Sequence, residues 1–164
     1  MENLTEFAEI TLKTRELFNR YNRAFAYENM EACFTNVFIW QKSWNIRYAV
    51  LHDTLVLCMC SGRKRPFLLA PMPRESGVSV RPAMEACVEI MRRRLGYFEM
   101  RSVCGILKEK IERDCDGLFA FAPQRSMAEY VYRTQDLVAL PGDRYHAKRN
   151  HINRFVKSLS LIHI

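Results

Sequence analysis

Residues 45–60 read NIRYAVLHDTLVLCMC, and they constrain the fold more than any other stretch. Apolar side chains recur at the spacing of a strand on both sides of the polar pair His52-Asp53. Two strands joined by a tight turn, a hairpin, is the reading that follows. SGRKR (61–65) gives a second turn, with Gly62 as its punctuation. PFLLAPM (66–72) is a third strand, ended by its prolines. A chain that holds three meandering strands here must build a sheet, and the remaining elements must cover it.

The flanks change period. FAEITL (7–12) alternates well enough for a first strand. Thr14 is placed to cap a helix through about Arg23, with Leu17, Phe18 and Tyr21 on its apolar face. Phe34, Val37, Phe38 and Gln41 fall at helical spacing in a second helix, Glu31 to Trp44. Trp40 and Trp44 stand four apart on it and read as core or interface anchors. SVRPAMEACVEIMRRRL (79–95) is a helix with Ser79 as candidate cap and Pro82 in the first turn. Arg92, Arg93 and Arg94 suit the negative end of its dipole, and Gly96 closes it. YFEMRSV (97–103) and GLFAFAP (117–123) are expected strands on either side of a helix, GILKEKIERDC (105–115). SMAEYVYR (126–133) does not choose between helix and strand, and Tyr130, Val131 and Tyr132 suit packing or an acceptor site equally. TQDLVAL (134–140) is a short helix before Pro141-Gly142, and a last helix starts near Asp143. This order predicts an α/β fold with a mixed central sheet and helices on both faces, closed by an amphipathic C-terminal helix.

Composition narrows the partners. Apolar residues make up 49% and charged residues 26% of 164, which excludes a disordered chain and suits one packed domain. The formal net charge is +7, so polyanions such as RNA, nucleotides or anionic lipid are the favoured partners. The six cysteines form no C-x-x-C pair, and no Cys/His set has zinc spacing, so no metal is expected. Reduced, buried thiols in a cytoplasmic protein are the expectation. MENLTEF is too acidic and too short of apolar residues for a signal peptide, and there is no apolar run of spanning length.

YHAKRNHINRF (145–155) is the stretch that points to chemistry. On a helix, Ile152, Phe155, Val156 and Leu159 share one sector. Arg149, Asn150, Asn153, Arg154 and Lys157 fill the opposite side. From Arg144 to Lys157 there are five Lys/Arg and no acid. Solvated helices usually mix signs to gain i,i+4 pairs, so unrelieved positive charge points to an anion nearby. The candidate anion or substrate contacts are Tyr145, His146, Lys148, Arg149, Asn150, His151, Arg154 and Lys157. His146 and His151 are five apart and point in different directions, against one-helix metal binding. No nucleophile elbow or hydrolytic triad spacing is present, so no catalytic residue is assigned.

Two segments, FTNVFIWQKSWNIRYAV (34–50) and YHAKRNHINRF (145–155), resemble the C-terminal domain of phosphatidylglycerol lysyltransferase, and TQDLVALPGDR (134–144) resembles it more weakly. Together they bracket the chain from about Glu6 to Lys157. The resemblance implies a GNAT-like acyltransferase fold, and a tandem of two such domains as in the Fem-type peptidyltransferases. It implies aminoacyl-tRNA as donor, an amine or hydroxyl acceptor such as a lipid, and a place in the cytoplasm or at the inner membrane surface. Against that pattern, residues 1–142 make the first GNAT-like domain, and 143–159 a helix bridging into a second domain not included in this sequence. Residues 160–164 then read as a truncated or misread end. An uncovered bridging helix would leave its apolar side free for self-association.

A competing reading uses residues 74–79, RESGVS, which lie between a strand and a helix. GNAT enzymes that use acetyl-CoA cradle its pyrophosphate at that place on a glycine-bearing loop and a helix N-terminus. Arg74, Gly77 and Ser79 are the candidate cofactor contacts for a single-domain acetyl-CoA N-acetyltransferase. Ser79 replaces the expected final glycine and Glu75 adds negative charge, so the match is degenerate. A basic binding module without catalysis is the third reading. RKR at 63–65 is expected to solvate a hairpin tip.

Overall fold

The hairpin forms where the alternation places it. β2 (Arg47–Leu51) and β3 (Thr54–Met59) pair antiparallel, Tyr48 opposite Leu57 and Leu51 opposite Thr54. His52 and Asp53 turn the chain with φ of 46° and 56°, the doubly left-handed geometry whose twist suits a two-residue hairpin. The structure, a computed structural model, describes residues 6–25, 30–60, 65–128 and 130–159. The chain divides into two compact units, Met1–Pro123 and Gln124–Ile164.

In the first unit β1 (Ala8–Glu9), β4 (Phe67–Leu69), β5 (Met72–Pro73) and β6 (Met100–Arg101) complete the sheet. The strand order is β1-β2-β3-β4-β6, with β5 also paired to β3. β6 runs parallel to β4; every other pairing is antiparallel. The parallel pair needs a crossover, and α3 (Arg81–Leu95) supplies it. The sheet is therefore mixed, as the element order predicts.

β3 is the centre of the core because it is buried on both sides. Leu55 and Leu57 face α1 (Arg15–Phe25) and α2 (Phe34–Trp44), packing with Phe18, Tyr21, Phe34, Val37, Phe67 and Leu69. Val56 and Cys58 face the other way, toward Cys87, Ile90 and Met91 of α3, with Ala49 and Leu68 beside them. The period of two along β3 sorts its side chains between these layers. Phe18 sets its edge against Phe34 and Tyr48, with ring centroids 5.7 and 5.6 Å apart. α4 (Gly105–Asp114) closes a third cluster, in which Val80, Met84, Ile111 and Cys115 are buried against Phe98, Met100, Phe119 and Phe121. Helices thus lie on both faces of a mixed sheet.

Several expectations shift. FAEITL yields only β1, and Leu12–Thr14 is a 3₁₀ turn, whose Thr14 hydroxyl donates to the Thr11 carbonyl at 2.7 Å. Thr14 therefore closes that turn rather than capping α1. The helix expected from Glu31 starts at Phe34, after a 3₁₀ turn at Met30–Ala32. Gly96 ends α3 at φ 78° as expected. Its start differs: Val80, not Ser79, is the cap position, and Ser79 Oγ accepts from the Arg81 N–H at 3.3 Å. GLFAFAP is in no ladder, because no described strand lies alongside to pair with it. Of the 63–65 turn only Arg65 is described, over the Tyr97 ring at 5.4 Å. The Gly62 turn and residues 160–164 lie outside the described residues.

The second unit holds α5 (Thr134–Ala139), a 3₁₀ turn at Asp143–Tyr145 and α6 (His146–Leu159). Its buried hydrophobics among the described residues are Leu140 and Tyr145. Ile152, Phe155, Val156 and Leu159 of α6 are all exposed, Phe155 by 62%.

Candidate functional site

The α5–α6 corner is built by backbone geometry first. Leu140 ends α5 in the left-handed region at φ 44°, and Gly142 follows at φ 67°. Such a reversal leaves the last carbonyls of α5 without helical partners. Arg149 meets the carbonyls of the reversal itself: its guanidinium donates to the Leu140 carbonyl and, at 2.7 Å, to the Gly142 carbonyl. Arg149 is thus committed to the chain's own backbone, unlike the anion contact expected of it. Tyr145 is buried and donates its phenol to Asp136 Oδ2 at 3.3 Å, so it too serves the corner. Burial pushes that phenol above its usual pKa.

The other candidates stand on the exposed side. Lys148 lies over the Tyr132 ring at 5.2 Å, a cation–π contact that leaves its charge unneutralised. Asn150 Nδ2 is 3.0 Å from His146 Nε2, one turn apart on the helix. His151, Arg154 and Lys157 are exposed, His151 more so than its place beside the apolar sector suggests. Neither Lys148, Arg149 nor Arg154 meets a carboxylate among the described residues. The arrangement is a positive helix face with one cation spent on backbone carbonyls, and with Lys148 and Arg154 in no ion pair among the described residues.

The 74–79 loop is organised differently. Arg74 pairs with Asp53 at 3.7 Å and with Glu75 at 3.9 Å. A Cβ on Gly77 would meet nothing within 4 Å. The amide of Val80, at the cap position of α3, donates to Asp114 Oδ2 at 3.0 Å. Lys110 reaches the same carboxylate at 3.1 Å and the Ser76 carbonyl at 2.9 Å. A carboxylate from α4 therefore occupies the position at the α3 N-terminus where a cofactor phosphate is expected. The Lys110–Asp114 pair escaped sequence reading; its i,i+4 spacing in KEKIERD is the signal, and it looks like any surface pair. Among the described residues no three His, Cys, Asp or Glu side chains are grouped to hold a metal ion. None of the described helices is long and apolar enough to cross a membrane.

A mixed-sheet unit followed by a cationic helical corner is the class that the fold and the site define. A family model described as phosphatidylglycerol lysyltransferase, C-terminal, matches residues 22–162, and the chain belongs to that family. No curated protein matches. Among solved structures, a conserved protein of unknown function from Bacteroides thetaiotaomicron is similar, at 27% identity and a TM-score of 0.77. The match covers 93% of this chain and 50% of that one, so the chain spans about half the length of that relative.

Proposed function

We propose that this chain is part of a GNAT-like aminoacyl transferase that takes its acyl group from aminoacyl-tRNA and passes it to an amine or hydroxyl acceptor, such as a lipid headgroup. The acceptor's nitrogen or oxygen attacks the ester carbonyl, a new amide or ester bond forms, and the ribose oxygen leaves with the acceptor's proton. Family membership supports the reaction class. The observation that carries the role of this chain is the α6 face, where Lys148 and Arg154 stay clear of every described carboxylate. Charge of that kind raises affinity and encounter rate for a phosphodiester backbone or an anionic membrane surface at which the protein docks peripherally. In this reading residues 143–159 bridge to a second GNAT-like domain, and the exposed apolar side of α6 seats against it. The acetyl-CoA reading has less behind it, because Asp114 already holds the Val80 amide.

The test is Lys148→Ala with Arg154→Ala. Binding of tRNA and of phosphatidylglycerol vesicles is measured against salt. For each phosphate that no longer meets a cation, the slope of log K against log salt should fall by about 0.7–0.9. A double variant that binds both probes with unchanged affinity and slope removes α6 as the anion face.

A further inference from the structure

The side chain of Asp114 is 11% exposed, and three donors converge on it. Its Oδ2 accepts from the Val80 amide at 3.0 Å and lies 3.1 Å from the Lys110 ammonium. Its Oδ1 lies 3.5 Å from Arg113 Nε. Lys110 is itself almost fully buried, and the Ser76 carbonyl accepts from it at 2.9 Å. A main-chain N–H at the start of a 15-residue helix, an ammonium and a guanidinium are the donors that a phosphate group takes. Here α4 brings its own anion to them. Little is left for another. The Arg81 N–H donates to Ser79 Oγ at 3.3 Å, and Pro82 has no N–H. In the loop before α3, the Val78 N–H donates to the Glu75 carbonyl at 3.1 Å, and Arg74 faces Asp53 and Glu75.

We propose that Asp114 is the resident anion of an oxyanion site at the start of α3, and that its carboxylate shuts phosphate-bearing cofactors such as coenzyme A out of this unit. Two anions cannot share these donors, because a phosphate at the Val80 amide would meet the carboxylate where little water separates them. The carboxylate also has the advantage of its tether. It is carried by the α4 backbone, so it gives up little freedom on binding, whereas a free ion loses its translational entropy. What the contact blocks is a built site: without Asp114 the buried Lys110 ammonium keeps a carbonyl but loses its counter-charge. The site is not sealed from solvent. A cleft of about 170 Å³ lined by Ser76, Ile106, Glu109, Lys110 and Arg113 opens beside it, and a small ion has a way in once the carboxylate is removed.

Thermal unfolding of the full chain in inorganic phosphate, against sodium chloride of equal ionic strength, tests this. Asp114→Ala should melt below wild type, and phosphate should restore part of the loss. The expected gain, beyond any rise in wild type, is about 4 °C at roughly ten times the Kd, and it saturates with concentration. Lys110→Met added to Asp114→Ala removes the buried cation and should abolish the gain. Where the alanine variant does not fold, Asp114→Ser reads the same shift, since its short hydroxyl leaves room for the ion and offers the Val80 amide an acceptor. Wild type titrated with coenzyme A should give no binding that Gly77→Asp removes. Three results overturn the proposal: no phosphate gain in the Asp114 variant beyond that of wild type, an equal gain in the double variant, or micromolar binding of coenzyme A to wild type that Gly77→Asp abolishes.

Discussion

Among the described residues Lys110 is the charged side chain most deeply placed in the first unit, 4% exposed. It survives there because its ammonium has two good acceptors, Asp114 and the Ser76 carbonyl, and because Asp114 in turn takes the Val80 amide. Burial works to raise the Asp114 carboxyl, but the Val80 N–H, Lys110 and Arg113 outweigh it and hold its pKa below the ordinary carboxylate value. The pair ties α4 to the start of α3 and to the loop before it. Removing one partner leaves the other charge buried, so Lys110→Met should cost about 3 kcal/mol, read from the urea midpoint at unchanged slope. The sign with pH follows from the lowered pKa: the wild-type advantage is full at neutral pH and is lost as pH falls through the folded Asp114 value. Sequence shows a lysine four residues before an aspartate; only packing shows that water is excluded from them. The same limit applies to Cys58 and Cys87. Both read as ordinary strand and helix positions, and burial in one cluster pushes their thiols up to about 12.

At the scale of elements, the corner between α5 and α6 is where sequence and structure part most clearly. Residues 145–155 are legible as an amphipathic helix from their period alone, and α6 spans His146–Leu159. Arg149 is legible as a cation, and its charge points to a ligand. Its partners are instead the carbonyls of Leu140 and Gly142, exposed by the left-handed turns at those two residues. A pattern of charges along a helix cannot report where a neighbouring turn leaves acceptors unpaired. Arg149→Ala should therefore destabilise the corner by about 2 kcal/mol, the worth of a charge-assisted hydrogen bond to backbone. Faster amide exchange in Leu137–Leu140 and in the first turn of α6 is the measurement. An anion-binding role alone would leave those amides as protected as before. The expected GLFAFAP strand is a second case: its period is that of a strand, yet a ladder also needs a neighbour, and none of the described strands provides one.

The whole molecule divides by how much each unit can bury. The first has three clusters arranged around a strand covered on both faces. Among the described residues the second buries Leu140 and Tyr145 and leaves Tyr130, Val131, Val138, Phe155 and Val156 exposed. A unit with so little apolar burial cannot offset the entropy of ordering its chain by much. Native-state hydrogen exchange should therefore show α6 amides opening at a free energy well below that of Leu55–Leu57 in β3. Equal protection in the two would mean that α6 is held by packing of core strength. By itself, the sequence determined the turn at His52-Asp53, the sheet's hairpin core, the end of α3 at Gly96 and the cationic, acid-free last helix. These depend on period, on charge and on a few residues' backbone preferences, all local along the chain. Tertiary structure decided the parallel pairing of β6 with β4, the burial of Lys110 with Asp114 and the capping work of Arg149. Each of these is a meeting between groups set together by folding, and proximity in space is not written in the spacing of residues along a chain.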